Sequence, residues 1–150
     1  MDELMAQVPV APGIFTWPTD DPELIGSRCA DCRIVTFPAQ DACPRCPSTT
    51  MAEHRLPRRG RLWAWTIQAF PPPSPPYAGP AGREFVPYGV GYVELADEVK
   101  VESRLTVADP DALQTGMEME LVVVPFRTND DSDDVVTFAF RPVNRKDRPT

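Results

Sequence analysis

The stretch that decides the fold is residues 28–46, RCADCRIVTFPAQDACPRC, in which two CxxC pairs are separated by ten residues. Each pair turns two thiolates toward one ion, and two such knuckles at the ends of a short hairpin complete a tetrahedral four-thiolate site, the geometry that Zn(II) accepts. All four coordination positions are then filled by protein, so the metal is expected to be structural and not catalytic. The predicted ligands are Cys29, Cys32, Cys43 and Cys46.

Two other interpretations use the same four cysteines. Two disulfides would suit a secreted domain, but no basic segment followed by an apolar one begins the chain, so we expect no secretory signal. Iron accepts the same ligand set, and the sequence leaves zinc against iron open, although zinc is the commoner occupant. Clustered thiols in a reduced, cytoplasmic protein are expected to bind metal. Because so small a lobe cannot bury a core alone, the metal supplies its folding free energy.

The amino-acid composition limits the fold and function classes open to the whole chain. The 150 residues are 42% hydrophobic and 25% charged, enough for one good core or two small lobes. The 19 prolines argue against long helices. The formal charge of -7 argues against a nucleic-acid binder, which needs a basic surplus to neutralise phosphates. No run of about 18 apolar residues is present, so we expect no membrane span.

The pattern changes to strands from residue 60 onward. Apolar residues alternate with polar ones along Val99–Val107, and Asp109–Leu113 carries a cap-like Asp followed by Pro, typical of one helical turn. The predicted strands are Gly60–Phe70, Tyr88–Leu95, Val99–Val107, Met117–Phe126 and Val135–Arg141. Five strands in about 80 residues favour a closed OB-type barrel, with a five-stranded sandwich as the alternative. The predicted fold class is therefore mainly β, an N-terminal rubredoxin-like zinc ribbon followed by a five-stranded OB-type barrel.

Four regions follow from these patterns. We expect an extended N-terminal arm over 1–23, a zinc ribbon over 24–54, an OB-fold barrel over 55–142 and a flexible tail over 143–150. Phe15 and Trp17 are predicted to anchor the arm, more by packing on the ribbon than by contacting a partner.

A proline-rich excursion separates the first two barrel strands. Residues 71–80, PPPSPPYAGP, hold six prolines, which cannot join a sheet interior and favour stiff polyproline II structure. A connection of about 17 residues is long for a hairpin. Pro71–Pro87, with Tyr77, Phe85 and the adjoining Tyr88, either covers a ligand or partner site or is a solvated loop, and the sequence leaves both open.

Arginines cluster where the ribbon meets the barrel. Arg55, Arg58, Arg59 and Arg61, with His54 beside them, stand out in an acidic chain. Guanidinium groups suit phosphate or an acidic partner surface. The alternative, which we favour, is solvation or pairing with acidic residues elsewhere in the chain.

These features resemble the zinc-ribbon/OB-fold proteins known as domain of unknown function 35. The matching segments, within about residues 24–142, are Cys29–Cys32, Phe37–Pro38, Cys43–Cys46, Gly60 and Phe85–Leu95. The resemblance implies an accessory subunit of a thiolase-fold or lipid-transfer-protein-like enzyme, with acyl-CoA at or near the interface and a two-plus-two heterotetramer as the natural assembly. The partners it implies include aldolases of steroid side-chain degradation. The arm is shorter than in relatives, and a hydratase-like domain fused ahead in some of them is missing, which leaves open whether the sequence is an excised domain.

Three functions follow as hypotheses. The first is a non-catalytic accessory subunit that supports its partner and shapes an acyl-CoA site, because the cysteines are committed to metal and His54 is the one histidine. The second is an independent module that binds CoA or a small ligand. The third, opposed by the charge, is a single-stranded nucleic-acid binder that stacks bases on Trp63, Trp65 and Phe70. Trp63 and Trp65 are expected to share one face of their strand, where filling a core or an interface is favoured over stacking on bases. The predicted partner- or CoA-binding residues are Arg55, Arg58, Arg59, Arg61, Trp63, Trp65, Tyr77, Phe85 and Tyr88.

Overall fold

A computed structural model describes residues 7–75, 79–131 and 133–143, which form nine strands and two short 3₁₀ turns. The strands are β1 (Gln7–Pro9), β2 (Ile25–Cys29), β3 (Val35–Thr36), β4 (Met51–Arg55), β5 (Arg59–Gln68), β6 (Tyr88–Leu95), β7 (Val99–Leu105), β8 (Glu118–Thr128) and β9 (Asp134–Pro142). The 3₁₀ turns are Gly82–Glu84 and Pro110–Ala112. Among the described residues, no helix has the length and hydrophobicity that crossing a membrane requires.

Strands β5 to β9 close into a barrel. Each strand pairs with the next around the order β5-β6-β7-β9-β8, and β8 returns to β5. All of these pairings are antiparallel except β7 with β9, which is parallel. This is an OB-type closure, so the barrel prediction is confirmed and the sandwich alternative is wrong. Within the described part of the chain, the contact between β7 and β9, which we call the β7–β9 seam, has the fewest paired residues of the barrel. It consists of the single pair Leu105 and Phe140.

The predicted alternation along β7 is confirmed. Val101, Ser103 and Leu105 are buried, whereas Lys100 and Glu102, which point to the other face, are exposed. The inward side chains join one apolar cluster that extends beyond the barrel into the ribbon and the arm. Its members include Leu62, Val93, Leu95, Val101, Leu121 and Phe140 from the barrel, and Phe15, Leu24, Val35 and Leu56 from the preceding regions. The two lobes therefore share one hydrophobic core.

Close backbone approach explains the two glycines at the start of β6. A Cβ atom on Gly91 would lie 2.8 Å from Leu62 Cδ1 and 2.9 Å from the Ala64 carbonyl oxygen. A Cβ atom on Gly89 would collide with the carbonyl oxygen of Val107. A glycine inside a strand indicates either a bulge or a close backbone approach, and both of these glycines mark a close approach.

The N-terminal arm contributes a strand to the barrel. β1 pairs in parallel with the first residues of β9, and the Val10 N–H donates to the Val136 carbonyl at 2.8 Å. Phe15 is 4% exposed and bridges to Leu24, and Trp17 lies edge-on to the Phe15 ring at 6.2 Å. Both aromatic side chains therefore pack inside the chain. Residues 1–6 of the predicted arm and 144–150 of the predicted tail lie outside the described residues.

A bulge in β5 corrects one expectation about the two tryptophans. Simple alternation places Trp63 and Trp65 on the same face of the strand, but the register shifts between Leu62 and Ala64. Trp63 is the extra residue, so it turns outward and is 54% exposed, while Trp65 packs against the core. The expectation of a shared face is wrong because a bulge changes the direction of the following side chains.

The tip of the β6–β7 hairpin joins the ribbon to the barrel. Ala96 and Asp97 both have positive φ, +53° and +56°, and the Glu98 N–H donates to the Leu95 carbonyl at 2.9 Å, which closes a tight turn between the two strands. The turn places the Glu98 carboxylate against two ribbon side chains, with an ion pair to Arg28 and a 3.2 Å contact to His54 Nε2. Phe37 of the ribbon lies edge-on to Phe138 of β9 at 5.5 Å. These contacts fix the ribbon over one side of the barrel.

Candidate metal centre and outer-face clusters

The four cysteine sulfurs converge as the spacing predicts. All four Sγ atoms lie within 4.8 Å of one another, with 3.6 Å from Cys29 to Cys46 and 3.5 Å from Cys32 to Cys43. A tetrahedral zinc ion with Zn–S bonds of about 2.3 Å separates its sulfurs by about 3.8 Å. The sulfur atoms therefore fit a zinc ion. None of the four cysteines forms a disulfide, so the disulfide alternative is wrong.

Each CxxC pair builds a knuckle by donating backbone hydrogen bonds to sulfur. The Cys32 N–H donates to Cys29 Sγ at 3.4 Å, and the Arg45 and Cys46 N–H groups donate to Cys43 Sγ at 3.3 and 3.4 Å. Arg33 adopts the left-handed conformation, φ +65°, and its N–H returns to the Cys29 carbonyl. Hydrogen bonds of this kind favour a charged thiolate over a neutral thiol.

The close packing of the four sulfurs sets the ionisation of one thiol against that of another. The Cys32 N–H lowers the pKa of Cys29 to about 6. A backbone hydrogen bond at Ser48 favours the Cys46 thiolate, but burial and the neighbouring thiols outweigh it and raise the pKa of Cys46 to about 12. One divalent ion removes this conflict, because it accepts four thiolates at once. The cysteines form a structural zinc site, since all four positions of the tetrahedron belong to the protein.

Three of the four arginines where the ribbon meets the barrel bind other groups of the same chain. Arg55 pairs with Glu53 at 2.9 Å, and Arg59 lies 3.2 Å from Glu120. Arg58 donates to the Pro22 carbonyl at 2.7 Å. Arg141 also binds Glu120, and despite its burial the two arginines lower the pKa of that carboxyl. A partner contact by the cluster remains a prediction.

Arg61 and His54, the other residues of this group, differ from each other in exposure. Arg61 is exposed on β5 opposite Glu94, and His54 is half-buried against Glu98. The structure therefore leaves Arg61 as the member of the cluster that is most available at the surface.

The outer face of β5, β6 and β7 carries an aromatic cluster at the hairpin end. The Trp63 and Tyr92 rings meet edge-on at 6.2 Å, and Lys100 Nζ lies 4.8 Å from the centre of the Trp63 ring. Tyr92 is 42% exposed, so both rings present apolar surface to solvent. We call Trp63, Tyr92 and Lys100 the Trp63 cluster. Sequence reasoning missed Tyr92 and Lys100, although their outward positions in alternating strands were a usable signal.

A second cluster lies on the same face at the other end of β6. The guanidinium carbon of Arg104 is 3.8 Å from the Tyr88 ring centre and 5.5 Å from that of Phe126, and Phe85 meets Tyr88 at 6.0 Å. We call Arg104, Tyr88, Phe126 and Phe85 the Arg104 cluster. Phe126 is the extra residue of a bulge in β8, as Trp63 is in β5. Tyr88 and Phe85 were predicted as site residues, whereas Arg104 and Phe126 were missed because their proximity depends on the bulge and the strand register.

The proline-rich excursion leaves the barrel beside the Arg104 cluster. Its described residues form no strand, as predicted, and it is flanked by Phe70 and Val86, which are 77% and 73% exposed. Tyr77 lies outside the described residues. The structure thus brings Phe85 and Tyr88 together, places Trp63 on the same face, and separates Trp65 into the core.

Comparisons with known proteins agree with this architecture. Residues 16–52 match the family "ChsH2, rubredoxin-like zinc ribbon domain", and residues 53–124 match "ChsH2, C-terminal OB-fold domain".

Two relatives are 30% identical to the chain. A DUF35 domain-containing scaffold protein of Pyrococcus furiosus aligns over 80% of this chain and 83% of its own. The benzoylsuccinyl-CoA thiolase subunit BbsA of Thauera aromatica aligns over 88% and 86%. A solved structure described as an Ltp2-ChsH2(DUF35) aldolase is 25% identical, with a TM-score of 0.57, and covers 80% of this chain and 84% of that one. The chain therefore belongs to the DUF35 family of proteins, in which a ChsH2-type rubredoxin-like zinc ribbon precedes an OB-fold barrel.

Proposed function

We propose that this protein is a non-catalytic accessory subunit of a thiolase-fold enzyme that acts on acyl-CoA. The observation that carries the proposal is the near full-length similarity to a thiolase subunit and to the DUF35 chain of an aldolase complex. The finer form of the proposal is a two-plus-two heterotetramer with acyl-CoA at or near the interface. A lipid-transfer-protein-like retro-aldolase of steroid side-chain degradation is the partner we propose within that class, in the cytoplasm.

The contacts of the cysteine and histidine side chains favour a non-catalytic role for this chain. Its four cysteines face one metal site, and His54 is engaged with Glu98. Thiols often serve as nucleophiles, and imidazole is the most frequent general base. With both engaged in structural contacts, the reacting groups are expected to come from the partner.

The surface we propose for docking is the Trp63 cluster. Aromatic side chains dominate the energetics of protein interfaces, and Trp63 is turned outward by a bulge, a device that re-aims side chains. Phe85 and Tyr88 extend the proposed contact toward the excursion, whose Tyr77 we also propose as a contact residue, and Arg61 extends it toward the β6–β7 hairpin. Arg55, Arg58 and Arg59 have internal partners, so substituting them is expected to disturb the fold as well as any interface.

Affinity purification from the native cell tests the proposal. A tagged chain is expected to co-elute a thiolase-fold protein, and the stoichiometry of the complex is then measured by native mass spectrometry. The double variant Trp63→Ala with Tyr92→Ala is expected to lose the partner while keeping its zinc. Thr66→Ala, an exposed change on the same strand, is the matched control. Elution without any thiolase-fold protein would contradict the proposal.

A second candidate is an independent module that binds CoA or another small ligand. A groove beside Arg104 favours the small-ligand form of this candidate, because arginine suits carboxylate groups. Calorimetry with CoA on the isolated protein separates the candidates, since micromolar binding without a partner would favour the independent module. Turnover of a panel of steroid and aromatic acyl-CoA substrates by the purified complex would then identify the partner's reaction.

A further inference from the structure

Arg104 is fixed in place by aromatic rings. Its guanidinium lies 3.8 Å from the centre of the Tyr88 ring, its diagonal neighbour across the β6–β7 pair, and Phe126 lies on its other flank at 5.5 Å. Cation–π contacts and stacking hold a guanidinium by its face and leave the N–H groups at its edge directed outward. Arg104 is therefore an ordered donor of hydrogen bonds.

The chain supplies Arg104 with no acid in its described part. Other arginines that the structure describes are paired with glutamates: Arg28 with Glu98, Arg55 with Glu53, and Arg59 and Arg141 with Glu120. No carboxylate of the described residues lies within ion-pair distance of Arg104. Among the described residues, the Tyr88 and Phe126 rings, and no carboxylate, contact this positive charge.

A groove of about 290 Å³ opens beside this guanidinium. It lies between β7 and β9, where the barrel seam is a single register pair, and its floor includes Val10, Val90 and Phe138. Its polar lining residues include Arg104, Thr137 and Glu102. The faces of strands two and three of an OB barrel, flanked by the loops after strands one and four, are where such barrels bind ligands. In this chain those strands are β6 and β7, and the first loop is the proline-rich excursion.

We infer that this groove binds a carboxylate attached to a compact apolar group, with Arg104 as the residue that binds the carboxylate. The planar guanidinium edge matches two carboxylate oxygens, and Val10, Val90 and Phe138 take the apolar part. The volume is at the lower limit of small-molecule sites, so the groove takes a short carboxylic acid and not an entire CoA molecule. This inference goes beyond the accessory role and does not depend on it.

The carboxylate has two conceivable sources, a free short-chain or aromatic acid and an acidic side chain of the partner. Both present the same chemistry to Arg104, so two arms of one experiment separate them. The first arm titrates benzoate and hexanoate, and their uncharged amides, into the isolated zinc-loaded chain and follows backbone amide NMR shifts. The second arm repeats the titration with the purified partner complex. Exclusion of the acids from the complex identifies a partner side chain as the occupant, and retention identifies a free acid.

Variants define the expected result in the first arm. The acids are expected to shift the amides of Val90 and Thr137 saturably, and the uncharged amides are not. Arg104→Gln is expected to weaken binding about tenfold, the effect of losing a charge-assisted hydrogen bond. Glu102→Gln, which removes the like charge lining the groove, is expected to strengthen it. Arg61→Gln makes the same charge change near the hairpin end of β5 and is expected to leave binding unchanged.

Two outcomes would overturn the inference. One is equal binding of the acids and their amides, and the other is binding to Arg104→Gln as tight as to the wild type. Zinc content and dispersion of the NMR spectrum show whether that variant folds. If it does not, Arg104→Lys takes its place, because it keeps the charge but loses the planar pair of donors and must still bind more weakly than the wild type.

Discussion

The ribbon and the barrel reach a folded state by different means. The ribbon strands β2, β3 and β4 are two to five residues long and leave most of β4 exposed, whereas the barrel strands run from seven to eleven residues and close on one another. A metal ion organises the first region and apolar burial organises the second. Yet Leu24, Val35 and Leu56 join the barrel core. The two regions are therefore stabilised by different interactions, but each is expected to depend on the other for its stability.

Removing a zinc ligand is expected to produce the largest effect. Cys43→Ser should abolish zinc binding, because structural zinc contributes on the order of 10 kcal/mol to folding of its lobe. Loss of the ribbon also uncovers the shared core, so the free energy of unfolding of the whole chain should fall. Metal analysis and urea denaturation measure the two effects. Asp41→Ser, an exposed change in the same loop, is the control, and an unchanged stability of Cys43→Ser would show that the barrel folds alone.

Truncating the centre of the barrel core should have the next largest effect. Phe140 is completely buried and forms the β7–β9 seam, so Phe140→Ala should cost about 3–5 kcal/mol by loss of burial and creation of a cavity. The folded fraction should keep one zinc ion, since no cysteine changes. Chemical denaturation and metal analysis test both statements. Parallel loss of zinc would mean that the barrel is needed to form the ribbon.

The contact between the two regions can be tested through Glu98. Burial opposes its ionisation, but the His54 hydrogen bond and the Arg28 charge outweigh burial and lower the pKa of the Glu98 carboxyl. A carboxyl with a lowered folded-state pKa stabilises the fold above its unfolded value of about 4.3, and the contribution is lost as pH falls through the folded value. Glu98→Gln should therefore cost about 1 kcal/mol near neutral pH. The difference from wild type should shrink as pH falls below about 4.

Thermal unfolding over a pH series checks the Glu98 prediction. Glu94→Gln, on the same hairpin but paired with Lys100, is the matched control. A destabilisation by Glu98→Gln that is independent of pH would assign the effect to packing and not to charge.

The smallest effect is expected at Trp63. Its ring is largely exposed, so Trp63→Ala should change the free energy of unfolding by no more than about 0.5 kcal/mol. Near-wild-type stability combined with loss of the partner would mark the outer face as a binding surface. A strong destabilisation measured by urea denaturation would instead make Trp63 part of the fold.

Short-range patterns made much of this architecture predictable. The spacing of Cys29, Cys32, Cys43 and Cys46 is a local property, because each CxxC turn forms its own knuckle. Alternation along β7 likewise reports which side chains are buried. Asp109 caps the predicted helical turn, accepting a hydrogen bond from the Asp111 N–H.

The features that escaped prediction depend on long-range register. The bulges at Trp63 and Phe126 arise where strands must match their neighbours around a closed barrel, and no local pattern marks them. Arg104 and Tyr88 meet because β6 and β7 pair in one particular register. The residues that bind Arg58 and Arg59 are distant from them in sequence. The sequence therefore shows the cluster of positive charge but not the contacts within the chain that it makes.

The single-pair seam has a consequence for the time scale on which the barrel opens. Within the described residues, β7 and β9 are joined by the Leu105–Phe140 pair and by the Thr106 N–H, which donates to the Phe140 carbonyl at 3.0 Å. Local opening begins where the fewest hydrogen bonds must break, so the Thr106 amide is expected to exchange with deuterium before the amides of the β8–β9 pair. A molecule lodged between Arg104 and Phe138 would tie the two strands together. Hydrogen–deuterium exchange at this one amide would then report whether the groove is occupied.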